Sequence, residues 1–187
     1  IQLCLCRKVF VPYSKVIAMS QHTIVFVRHA KSEDTAPGSD EKRPLSDAGR
    51  DQAKKLGAQL KDYIENVDTV FVSPAFRASQ TWEEMAAGAG VDPHAPHVRT
   101  DEVLYTGDAM QILEAVRLES SGYTSLVIGH EPTISAAVRL TIREDEADKI
   151  ARGMATATAA IVTWDRNWKE WHSHVANLAD VVHVQNA

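Results

Sequence analysis

The chain has 187 residues, 44% of them hydrophobic and 24% charged, with a formal net charge of −5 and a pI near 5.9. That length favours one domain with a core large enough to fold alone, and no Lys/Arg block offers the footprint of non-specific nucleic-acid binding. The two cysteines, Cys4 and Cys6, are too close for good disulfide geometry and form no CxxC pair, so a zinc ribbon is excluded and a reduced, cytoplasmic setting is expected.

In chain order, residues 1–18 come first, an apolar run interrupted by Arg7, Lys8, Pro12 and Lys15. Those interruptions suit neither a membrane span nor a signal peptide. Met19 stands just before the first convincing strand, so 1–18 reads as an N-terminal extension, either a mis-set start or a loose arm, and 19–187 as one domain. Thr23 to Val27 is short, β-branched and aromatic, the signature of a buried strand, and it runs into Arg28-His29-Ala30-Lys31-Ser32. Glu33 to Pro44 is loop chemistry. Ser46 or Asp47 then caps a helix whose apolar positions Ala53, Leu56, Leu60 and Ile64 recur at helical spacing.

A second buried strand, Thr69 to Val72, ends at Ser73-Pro74, and a helix from Ala75 to Ala87 follows, closed by Gly88 and Gly90. Val91 to Thr100 is expected to hold a short strand. Asp108 caps a helix to Arg117, and Leu126-Val127-Ile128 is a third buried strand that stops at Gly129-His130-Glu131-Pro132. A helix from Thr133 to Leu140, an acidic helical segment from Arg143 to Arg152, a strand from Thr156 to Trp164 and a last helix from Trp168 to Ala179 complete the chain. Alternating strands and helices predict a mostly parallel sheet covered on both faces, an α/β fold.

Three buried strands thus end in polar clusters: Arg28-His29, Ser73-Pro74 with Arg77 beyond, and Gly129-His130. Open α/β sheets bind ligands outside the carboxyl ends of their strands, so parallel pairing would bring two arginines and two histidines to one edge. Guanidinium groups match phosphate oxygens with paired, charge-assisted hydrogen bonds. Taken singly, Arg28 or Arg77 would be a surface cation, and His29 or His130 a structural or turn histidine. Their joint placement points to an anion site.

At these residues the chain resembles a known family. Val27-Arg28-His29-Ala30 is similar to the Arg-His signature of the histidine phosphatase superfamily, the group of phosphoglycerate mutases and acid phosphatases. Ser73 to Thr81 resembles its second block, Val127 to Pro132 its Gly-His block, and Arg43 to Ala53 also fits. The short connections resemble the compact SixA-type phosphohistidine phosphatases, and they favour a shallow, open pocket.

The resemblance implies a three-layer α/β/α sandwich, phosphoglycerate mutase-like, and a phosphatase working through a covalent phosphohistidine with no metal and no cofactor. His29 would be the nucleophile, Arg28, Arg77 and His130 would hold phosphate, with Ser32 as a further donor or a plain loop residue. Glu102 lies where larger members place their proton donor, with Asp101 competing. A phosphohistidine substrate relaxes the need for that acid, because imidazole protonates near neutrality, at roughly 6.5. The expected partner is a phosphorylated protein or a small phosphorylated metabolite, with neither nucleic acid nor membrane, and the oligomeric state is open, a monomer being plausible. A phosphomonoesterase and a non-catalytic phosphate-binding module are the alternatives.

Outside these blocks the ordinary readings prevail. Lys31 and Glu33 are expected to be solvated, His94 and His97 lack further metal ligands, and His172 and His174 are expected at the surface. Trp164, Trp168 and Trp171 are read as core packing for the last helix.

Overall fold

A computed structural model describes residues 21–184; the N-terminal extension lies outside them. Six strands form one sheet: β1 (His22–Arg28), β2 (Thr69–Val72), β3 (His97–Thr100), β4 (Thr124–Gly129), β5 (Thr158–Trp164) and β6 (Asn177–His183), in the order β3-β2-β4-β1-β5-β6. The first four strands in that order are mutually parallel, and β5 runs antiparallel to both of its neighbours.

The helices are α1 (Asp47–Gln59), α2 (Lys61–Ile64), α3 (Phe76–Ala89), α4 (Val103–Thr106), α5 (Ala109–Glu119) and α6 (Thr133–Thr141). Period-two alternation in β1 divides the core. Ile24 and Phe26 face one side with residues of α5 and α6, whereas Val25 and Val27 face the other with residues of α1 and α3. Helices therefore cover both faces, and the architecture is a three-layer α/β/α sandwich of the phosphoglycerate mutase-like kind.

Caps set the helix starts. Ser46 accepts from the Gly49 N–H to open α1, and Asp108 with Gln111 forms a capping box on α5. The helix expected to reach Ile64 unbroken is interrupted at Leu60, whose backbone (φ −97°, ψ 16°) leaves the helical region. Gly88 does not end α3. It lies inside the helix, where a Cβ would come within 2.0 Å of the Lys54 carbonyl oxygen, so its role is close approach to α1. Gly90, at φ +78°, is the terminator.

The C-terminal third departs from the sequence-based expectation. The acidic segment is helical as expected, but as a 3-10 helix, Glu144–Ile150. The expected helix from Trp168 to Ala179 is a 3-10 turn, Trp168–Glu170, followed by strand β6. Residues three apart eclipse in a 3-10 turn as they share a face in an α-helix, so the Trp168/Trp171 spacing could not separate the two. Three features decide it. His174 adopts φ +62°, β6 pairs with β5 through a bulge at Ile161/Val162, and Glu146 Oε2 accepts from the Leu178 N–H at 2.8 Å. Trp164 and Trp168 do pack in the core, with Trp171 against it.

Candidate active site

Register brings the three polar clusters together. Arg28 lies opposite Gly129 across β1 and β4, and Val72 lies opposite Ile128 across β2 and β4. The His29 N–H donates to the Gly129 carbonyl at 3.1 Å and the Ser73 N–H to the Ile128 carbonyl at 3.1 Å. His29, Ser73 and His130 thus leave adjacent strands at one edge, and Arg77 enters on the first turn of α3.

His29 is 8% exposed, and both its ring nitrogens are engaged. Nδ1 lies 2.7 Å from the Ala30 carbonyl, which can only accept, so Nδ1 carries the proton. Nε2 is then a bare lone pair, and Arg77 Nε donates to it at 3.3 Å. Burial first, then the charges of Arg77, Arg28 and Arg43, push the imidazole down to about 4, against the Ala30 hydrogen bond. Two bonds hold the loop in place: the Ala30 N–H donates to Thr81 Oγ1, which donates to the Arg77 carbonyl.

The His130 ring centroid is 4.9 Å from that of His29. Its Nε2 is paired with Ser73 Oγ at 2.8 Å, and its buried Nδ1 has no partner among the described residues. Burial, then the neighbouring His29 and Arg77, push His130 down to about 3. Arg28 donates from Nη1 to the Met154 carbonyl at 2.7 Å and keeps a buried, unpartnered Nε. Buried polar atoms without partners are rare in folded proteins, and the charges of Arg77 and Arg28 act on both His29 and His130.

Arg77, 4% exposed, is held by Asp40 from the loop between His29 and α1: Nη1 donates to the Asp40 carbonyl at 2.8 Å and Nη2 to Oδ2 at 2.9 Å. The same carboxylate accepts from Arg43 Nε at 2.7 Å and from the Tyr105 hydroxyl at 3.2 Å. Arg43 foremost, with Arg77, holds Asp40 below the usual carboxylate range.

Ser32 accepts from Arg43 Nη1 at 2.9 Å, so its hydroxyl serves the loop. Glu102 is exposed, precedes α4, and its carboxylate makes no hydrogen bond or ion pair among the described residues; Asp101 Oδ1 accepts from the Val103 N–H. Sequence alone brought Arg28, His29, Arg77 and His130 together and missed Asp40, Tyr105 and Met154. Asp40 comes from the segment between His29 and α1 and Tyr105 from α4, and neither carries a local pattern that sequence could flag. No three His, Cys, Asp or Glu side chains among the described residues cluster so as to hold a metal ion. No helix among them is long and apolar enough to cross a membrane.

The sequence profile of the histidine phosphatase superfamily (branch 1) matches residues 24–104. Uncharacterized proteins of Mycobacterium tuberculosis and Mycobacterium leprae are 33% and 31% identical over 150 and 161 residues, covering 77% and 81% of this chain and 90% and 96% of theirs. The chain belongs to the histidine phosphatase superfamily.

Among solved structures, a candidate SixA phosphohistidine phosphatase from Nakamurella multipartitia superposes with a TM-score of 0.73 at 29% identity, covering 87% of this chain and 96% of that one. The protein histidine phosphatase SixA complexed with tungstate shares the fold at TM-score 0.69 and 23% identity, covering 86% and 96%. This histidine phosphatase is a phosphate-releasing hydrolase of the compact, SixA-like shape.

Proposed function

We propose that the chain is a metal-independent phosphohistidine phosphatase acting on a phosphorylated protein, with His29 as the transient phosphate acceptor. The observation that carries this reading is the fixed tautomer: Nδ1–H donating to Ala30, and an unprotonated Nε2 that accepts from Arg77 Nε. A nucleophilic imidazole needs that arrangement.

In the reaction, His29 Nε2 forms a bond to phosphorus as the bond from phosphorus to the substrate's imidazole nitrogen breaks. That nitrogen takes its proton from solvent. Arg77 and Arg28 hold the equatorial oxygens and absorb charge, which is how phosphoryl transfer is mostly accelerated. If the Ser73 hydroxyl donates to His130 Nε2, the unpartnered Nδ1–H is left for a phosphate oxygen. Asp40 must then yield Arg77 to the phosphate. Water next attacks the phosphorus of phospho-His29, releasing phosphate and restoring the lone pair.

The leaving group supports phosphohistidine over an ester. An alkoxide needs a proton donor, yet the guanidiniums of Arg43 and Arg77 hold Asp40 below the usual carboxylate range, and the Glu102 carboxylate makes no hydrogen bond or ion pair among the described residues. The test is a substrate panel of a phosphohistidine protein, sugar phosphates and aryl phosphates, with labelled phosphate trapped on the enzyme. An acid-labile adduct that disappears in His29→Ala, with turnover of phosphohistidine, is expected. Turnover confined to esters removes the substrate assignment, and an unlabelled enzyme removes the covalent route.

A further inference from the structure

Arg28 reaches its place through a long, flexible stem, so something must aim it. Its one acceptor among the described residues is the Met154 carbonyl, 2.7 Å from Nη1, which leaves Nε buried and unpartnered. Met154 lies on an irregular segment between the 3-10 helix ending at Ile150 and β5, with left-handed backbones at Gly153 (φ +77°) and Ala157 (φ +52°). No sheet ladder pins that segment. Glu131 does.

The Met154 N–H is shared between Glu131 Oε1 and Ser135 Oγ, each at 3.0 Å. Ser135, one turn along, itself donates to Glu131 Oε1. A Cβ at Gly153 would come within 3.3 Å of Glu131 Oε2, so the carboxylate packs closely on the segment. The Met154 side chain is buried in the core, which fixes the residue from a third side. Glu131 directly follows His130, so one turn of chain carries a site imidazole and the anchor of a site guanidinium.

We propose that Glu131 is a positioning residue, acting through Ser135 and the Met154 backbone to aim Arg28 at the phosphate. The inference rests on the reading that Arg28 binds phosphate. Glu131 spends its carboxylate on the loop and makes no bond to His29, His130 or Arg77 among the described residues. The direct side-chain route from this segment to the site is therefore the guanidinium it holds, although the segment also donates from the Ala157 N–H to the His29 carbonyl at 3.3 Å. Gln offers the same acceptor oxygen in the same shape, whereas Ala removes it.

The experiment is a double-mutant cycle read by turnover of aryl phosphates with graded leaving groups and by vanadate inhibition. Glu131→Ala is expected to lower kcat/KM about tenfold and weaken vanadate in parallel, and Glu131→Gln to stay within about threefold of the parent across all leaving groups. In an Arg28→Ala background, Glu131→Ala should cost less than about twofold. Equal costs in both backgrounds overturn the proposal alone. So does a Glu131→Gln defect that grows as the leaving group becomes more basic, which marks a proton donor. An Arg28→Ala enzyme with parental turnover overturns the phosphate-site reading itself. Should Glu131→Ala fail to fold, Ser135→Ala in the same cycle distinguishes the same outcomes, with a loss of about threefold expected.

Discussion

Strand β1 begins with one buried histidine and runs directly into another, and the two ends teach different lessons. His22 packs among the rings of Tyr123, Trp164 and Trp168, with a buried Nδ1 that has no partner among the described residues. Burial alone is the leading cause of its lowered pKa. His29 is lowered too, but its surroundings are guanidiniums and a second imidazole, and each of its nitrogens has an assigned job. A depressed pKa is therefore a property the ends share. Each ring also meets a backbone group, Arg166 at His22 and Ala30 at His29, so what separates them is that the unprotonated nitrogen of His29 stands beside cations, which is what an attack on a phosphorus anion requires.

The largest expected break in that comparison is His29→Ala, which should lower turnover by at least about a thousandfold while the circular dichroism spectrum persists. His22→Ala should instead leave kcat/KM within about twofold and lower the melting temperature, since it empties an aromatic cluster. A turnover defect at His22 would erase the distinction.

Arg77→Ala comes next, with a loss of about a hundredfold in kcat/KM and weaker vanadate inhibition. The same variant sharpens the electrostatic argument. In the parent the acidic limb of kcat/KM should fall near pH 4 rather than 6.5, because His29 takes up its proton only there. Without the Arg77 charge the limb should move upward, and a limb that stays put removes Arg77 as a cause.

Stability gives a third contrast. His29 is depressed from 6.5 to about 4 in the folded chain, so between those values the unfolded chain binds more protons. Stability is then fully present above pH 6.5 and lost as pH falls toward 4, by on the order of 3 kcal/mol for this ring. His29→Asn should flatten the urea-unfolding profile across that window, and an unchanged slope would show that other groups set it. The smallest effect belongs to Asp40→Asn, expected to tighten inorganic phosphate inhibition by about threefold; weaker inhibition would mean that the carboxylate helps to build the site.

Much of this was legible before coordinates. The run Thr69–Val72 was bounded as it is observed, and the Asp108 cap and three strand-end clusters were plain, because burial and turn chemistry are written in adjacent residues. The last third was not. Trp168 and Trp171 fit two helical periods equally well, and the β-branched run at Val181 and Val182 becomes a strand only because β5 offers a partner edge. Asp40, Tyr105 and Met154 were invisible for the same reason. Their importance lies in contacts across 37, 65 and 126 residues of chain, which no local pattern encodes.

The Asp40 contact carries one more consequence. Arg77 and Arg43 share a carboxylate supplied from eleven residues beyond His29, so the two guanidiniums already have their counter-ion built in. Substrate entry is then an exchange of one anion for another rather than the filling of a bare positive hole. Such a swap changes the net charge at the guanidiniums by about one unit at most. Affinity for phosphate should therefore respond only weakly to added salt.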